Sequence, residues 1–161
     1  MKETRISVDR VMKYIILGLI IAFVVVLMMF MSGSNRPFEE VQSEVEKSFD
    51  ASELKEQDSA AIKRNFGLNA ADYAGTAYYS AESTISASEV LLIRIKSDDQ
   101  IKEITDAIDK RIESRKNDFG DYLPEQAGLL DNAKQSVRGA YVFYAVSPDA
   151  DAYLKAFNSS L

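Results

Sequence analysis

From Tyr14 to Met31 the chain reads YIILGLIIAFVVVLMMFM, 18 residues without a charge, and the uncharged run continues to Asn35. At about 1.5 Å per residue such a helix matches a hydrocarbon core of about 30 Å. A helix apolar on every face is expected of a membrane span, not of a core helix in a small domain. The pattern therefore predicts a cytoplasmic tail over residues 1–13, a transmembrane signal-anchor over 14–35 and one extracytoplasmic domain over 36–161. Orientation follows from Lys2, Arg5, Arg10 and Lys13 before the span against Arg36 after it. A cleaved signal peptide fits less well, because the run is long and Met31-Ser32-Gly33-Ser34 is a poor cleavage site. Gly18 and Ala22 form a small-xxx-small pair of the kind that lets two helices approach closely, but ordinary lipid-facing composition is the commoner reason for such a pair.

Beyond the span the periodicity changes. Phe38, Val41, Val45 and Phe49 share one stripe and predict a helix over 37–49. A short helix over 59–65 is expected to end at Gly67 in a left-handed cap. Residues 72–80 read as a strand rich in tyrosine, and Glu89 to Lys96 (EVLLIRIK) as a strong β-branched strand. Ser97 and Gln100 stand at capping-box spacing before Ile101, Ile104, Ile108 and Ile112, predicting a helix that ends near 117–120. Pro124 opens a further helix to about Asn132. Residues 136–147 read as strand, with Arg138-Gly139 as a hairpin turn, and Ser147 caps a last helix carrying Ala150, Tyr153, Leu154 and Phe157.

Strands mostly adjacent in sequence point to an α+β domain: an antiparallel sheet of three to four strands with helices packed on one face. Tyr73, Tyr78, Tyr79, Tyr141 and Tyr144 fit either sheet packing or a carbohydrate-binding face, packing being the commoner use.

Composition narrows the chemistry. The chain has 161 residues and a formal net charge of −6, with neither cysteine nor histidine. Beyond Arg36 lie 14 of the 19 basic and 23 of the 25 acidic residues. So acidic a domain repels phosphate backbones, which argues against nucleic-acid binding. Without cysteine there are no disulfides and no thiolate catalysis; without histidine the commonest general base and metal ligand are missing. No calcium loop, phosphate loop or G-x-S-x-G is present. No cofactor or metal site is expected. Paired carboxylates such as Glu39-Glu40, Asp98-Asp99, Asp118 and Asp121, or Asp149 and Asp151, are explained by capping and solubility.

One polar group is placed differently. Glu89 alternates with Leu91, Ile93 and Ile95 and so starts an apolar face, while Arg111 and Arg115 flank the isoleucine stripe of the next helix. A Glu89 ion pair with Arg111 or Arg115 at the sheet–helix edge is the plain reading. The sharper one is a small polar pocket that holds a ligand group or a partner's side chain.

The run SEVLLIRIKSDDQIKEITDAIDKRIESRKNDFGDYLPEQ, followed by SVRGAYVFYAVSPDADAYLKAF, resembles the family named domain of unknown function 4358. Glu89, Arg111, Phe119, Tyr122, Pro124, Glu125, Gln126, Gly139 and Tyr141 carry the pattern. The resemblance implies a membrane-anchored or lipidated surface protein of clostridia-like bacteria, and adds Tyr122 to the binding residues. Two departures stand out: Arg115 replaces a glutamine of the pattern, and a signal-anchor replaces the lipoprotein cysteine. The family's association with O-acyltransferases of surface polymers implies an accessory envelope role. The expectation is a membrane-tethered module without catalytic activity that binds an envelope polymer or a membrane protein partner. The alternatives are a carboxylate-dependent enzyme acting on surface glycans, and a structural subunit of a membrane assembly.

Overall fold

The computed structural model describes residues 8–31, 36–120 and 122–161, with side chains of the first stretch described from 12 to 26. The chain divides into two compact units, Met1–Gly33 and Ser34–Leu161. In the first, α1 (Val8–Met31) is a continuous helix. Its large apolar residues from Met12 to Val26 are all exposed, from 44% at Val24 to 69% at Tyr14. Among the described residues no helix is long and apolar enough to cross a membrane. The span expected over 14–35 lies partly outside the residues whose side chains are described.

The second unit opens with α2 (Phe38–Glu46) and a short strand β1 (Lys55–Gln57). Helix α3 (Ser59–Phe66) is capped by the Asp58 carboxylate, which accepts from the Ala61 amide, and ends at left-handed Gly67. Strands β2 (Gly75–Ser80) and β3 (Glu89–Arg94) precede the long helix α4 (Gln100–Phe119) and α5 (Pro124–Asp131). Strands β4 (Lys134–Arg138) and β5 (Tyr141–Val146) form a hairpin, and α6 (Ala150–Ser159) closes the chain. The hairpin turns through Gly139 at φ 54, a conformation that favours glycine.

The sheet is fully antiparallel in the order β1-β2-β3-β5-β4. It has five strands, not three or four, and helices cover both faces, not one. Tyr78, Leu91, Ile93, Val142 and Tyr144 meet α3, α4 and α5 on one side. Ala77, Val90, Leu92, Tyr141 and Phe143 meet α2 and α6 on the other. The reason is visible in β3 and β5, which are apolar at successive positions and so cannot leave either face in water. The tyrosines are accordingly buried packing groups on opposite faces and form no exposed carbohydrate platform.

The helix caps differ in detail from expectation. Gln100 reaches back so that its Oε1 accepts from the Lys96 and Ser97 amides. The Ser97 hydroxyl bonds Asp99 instead of completing a capping box.

Where the chain enters this unit it is latched. The Arg36 carbonyl accepts from the Tyr141 hydroxyl at 2.7 Å, and the Arg36 guanidinium donates to the Ser160 carbonyl at 2.8 Å. Phe38 then stacks on Tyr141 and lies over Gly75, where an added Cβ would stand 2.5 Å from the ring. Residues 75, 94 and 141 mark this end of the sheet; Ser80, Glu89 and Val146 pair at the opposite end.

Candidate functional site

At that opposite end, β3 places Glu89 on the face covered by α4, where the residue is only 2% exposed. A carboxylate so buried must find donors. Arg111 on α4 supplies Nη2 at 2.9 Å, with Nε at 3.2 and 3.3 Å from the two oxygens. The Tyr78 hydroxyl donates to Oε2 at 2.8 Å and the Tyr144 hydroxyl to Oε1 at 2.9 Å. Asn65 in turn donates to the Tyr78 hydroxyl at 3.0 Å. Phe66 stands edge-on to both tyrosine rings, with the Arg111 guanidinium 5.8 Å from its centroid. Burial works against the Arg111 charge, but hydrogen bonding and attraction from Glu89 outweigh it and raise its pKa.

Arg115, one turn further along α4, does not bond Glu89. Its Nη2 donates to the Ser86 carbonyl at 2.9 Å, and its guanidinium lies 4.3 Å above the Phe119 ring. Tyr122 stands apart from this network, 93% exposed. The structure thus joins Glu89 to Arg111, and brings Arg115 to the adjoining loop.

That loop, residues 81–88 (AESTISAS), is the feature that sequence patterning passes over. It is held by the Gln126 side chain, whose Oε1 accepts from the Ala87 amide at 2.8 Å, and by Arg115. On one side it borders a cleft of ≈ 200 Å³, lined by Ser80, Ser83, Thr84, Ser86 and Ser88 with Glu89, Arg111 and Arg115. On the other it borders a cleft of ≈ 530 Å³, where Glu53, Glu82, Asp149, Ser147, Gln126 and Tyr153 stand together. A third cleft, of ≈ 320 Å³, holds Glu46, Glu56 and Tyr79. There the Gln42 amide nitrogen reaches Glu46 at 3.1 Å, Glu56 at 3.5 Å and the Tyr79 hydroxyl at 2.7 Å, while Tyr79 bonds Glu46.

Alternation would have found part of this. Tyr78 and Tyr144 are both register partners of Leu91, two residues along the same face from Glu89, which is diagonal cross-strand reach. Nothing comparable announces the Gln42 cluster or the loop.

The chemistry on offer is recognition by hydroxyls, amides and fixed charge. Glu89 has both oxygens engaged by tyrosine and arginine donors, so it is no free base. Among the described residues no group of three or more carboxylates is placed to hold a metal ion.

The tyrosines have a consequence for alkaline solution. Burial, followed by the charge of Glu89, raises the pKa of Tyr78 and Tyr144 above the ordinary 10.0. Burial, followed by nearby Glu103, pushes Tyr73 up to about 12. Above pH 10 the unfolded chain loses these protons while the folded chain keeps them, so folding stability falls as pH rises through that range. Alkaline titration followed by tyrosinate absorbance and circular dichroism should show the buried tyrosines ionising together with unfolding. Their ionisation near pH 10 in a chain that remains folded would contradict the buried network.

No curated protein and no solved structure matches the chain. The family model described as Domain of unknown function (DUF4358) does match, over residues 47–147. That stretch takes in the loop, Glu89, Arg111, Arg115 and all five strands, and the chain belongs to this family.

Proposed function

We propose that the chain is a membrane-tethered accessory module of the bacterial cell envelope, without catalytic activity, that binds a hydroxyl-rich envelope polymer through its 81–88 end. In this reading α1 anchors the chain in the cell membrane, with the N-terminus cytoplasmic and residues 36–161 extracytoplasmic. The anchor reading is supported by the uncharged run from Tyr14 to Met31 and by the exposure of its described apolar residues. The observation that carries the binding reading is the pair of clefts sharing one serine-rich loop, the smaller of them lined by Glu89, Arg111 and Tyr78 of the buried network. Hydroxyl, amide and carboxylate linings suit polyhydroxylated ligands, whose recognition depends on preplaced hydrogen-bonding groups.

A second reading has one observation in its favour. Glu46 and Glu56 converge on one amide beside Tyr79, an arrangement a glycan-cleaving carboxylate pair would need. In its own terms it is less apt, since Gln42 and Tyr79 already occupy Glu46. A membrane protein partner is the remaining alternative, with the same clefts as its docking end.

The test uses the full chain in detergent micelles, titrated with soluble oligosaccharide fragments of the envelope polymer. Amides of residues 81–88 should gain protection from hydrogen exchange, with no new reducing ends released. Protection confined to the Glu46 cleft together with release of reducing ends would install the enzyme reading. No protection at 81–88 at any ligand concentration would remove the binding one.

A further inference from the structure

Two arginines stand one turn apart on α4, and like charges at that spacing repel. Glu89 neutralises only the first. Arg111 carries a bidentate carboxylate contact, its side chain 15% exposed and that of Glu89 3%. Arg115 is just as enclosed, its side chain 16% exposed, yet its nearest described carboxylate oxygen is that of Asp118 at 3.7 Å. Asp118 is 58% exposed and so offers a weak, water-screened counter-charge. The Arg115 Nε is buried with no hydrogen-bond acceptor among the described residues. A guanidinium has five N–H donors, and here one is committed at hydrogen-bond distance, to the Ser86 carbonyl.

The Phe119 ring beneath and the Ser86 carbonyl beside it hold this charge still at the wall of the ≈ 200 Å³ cleft. The same cleft is lined by Ser83, Thr84 and Ser88, and by two carboxylates, the exposed, water-screened Glu82 and Glu89, which Arg111 already neutralises. A fixed, under-compensated guanidinium facing several hydroxyl donors is the chemistry that receives an oxyanion. The acidic surface of the rest of the protein gives anions no general attraction, so any preference must arise locally.

We infer that the Arg115 wall of this cleft selects an anionic substituent, a carboxylate or a phosphoryl group, on the hydroxyl-rich ligand. This rests on the binding reading above and adds the charge that the ligand carries. Arg115 is the contacting residue, and Asp118 competes with the ligand for it.

The test is a calorimetric titration of the full chain in detergent micelles with glucose, glucuronate and a glucose phosphate monoester. One or both anionic sugars should bind at least about tenfold more tightly than glucose. Which of the two is preferred separates carboxylate from phosphoryl. Arg115→Gln should abolish the difference, and Asp118→Asn should widen it about twofold or more by removing the competitor. Should Arg115→Gln fail to fold, Asp118→Asn decides, because that side chain is largely in water. Equal affinity for all three sugars overturns the anion assignment and leaves the binding module standing. Unchanged anion affinity in Asp118→Asn overturns Arg115 as the contact. Binding of none of the three overturns both readings.

Discussion

Arg111→Met should lower the stability of the Ser34–Leu161 unit by about 3–5 kcal/mol, because it strands Glu89 as an unpaired carboxylate inside the protein. Glu89 is 2% exposed, so water entering from the neighbouring cleft would solvate it only in part. Tyr78 and Tyr144 would still donate, but two neutral hydroxyls do not compensate a buried charge. Removing the charge should therefore restore much of the loss. Glu89→Gln in the Arg111→Met background keeps an oxygen for the tyrosines and should recover more than Glu89→Leu, which orphans both hydroxyls. Urea denaturation of the four proteins reads this directly. A single mutant within about 1 kcal/mol of the parent would show that the pair is not the structural keystone argued above.

The second large effect lies one turn away on the same helix. Ile108 is fully buried between α4 and the β3–β5 face. Ile108→Asp places a carboxylate there with no donor to meet it, and the cost of several kcal/mol rivals the whole stability of a domain, about 5–15 kcal/mol. The variant should show no cooperative thermal transition. Ile108→Val, costing about 1 kcal/mol, should keep one and serves as the control. A sharp transition in Ile108→Asp near the parent's midpoint would mean that α4 does not pack as described.

Most elements were legible because their periodicity is strong. The isoleucine stripe of α4, the tyrosine-rich β2 and the hairpin at Gly139 fall within a few residues of where patterning puts them. Strand β1 (KEQ) was not legible, since a three-residue polar edge carries no alternation and exists by pairing with β2. The second helical layer was missed for a subtler reason. Phe38, Val41 and Val45 on α2, and Tyr153 and Phe157 on α6, announce apolar stripes but not which sheet face they will cover. Only the near-continuous apolar runs of β3 and β5 imply two covered faces.

The candidate site divides the same way. The Glu89–Arg111 pair follows from alternation on a strand and spacing on the next helix. The different role of Arg115 does not, because it depends on a loop carbonyl supplied by residue 86.

The latch at Arg36 has a mechanical consequence. A pull applied at Arg36 is resisted by its contacts with Glu40, the Tyr141 hydroxyl and the Ser160 carbonyl. Tyr141 heads β5, a strand hydrogen-bonded on both sides, so traction there is shared between two ladders. The 81–88 loop hangs from the other ends of β2 and β3 and lies outside this line of force. A pull at Arg36 is therefore taken up at the Gly75–Arg94–Tyr141 end of the sheet, the end away from the 81–88 loop.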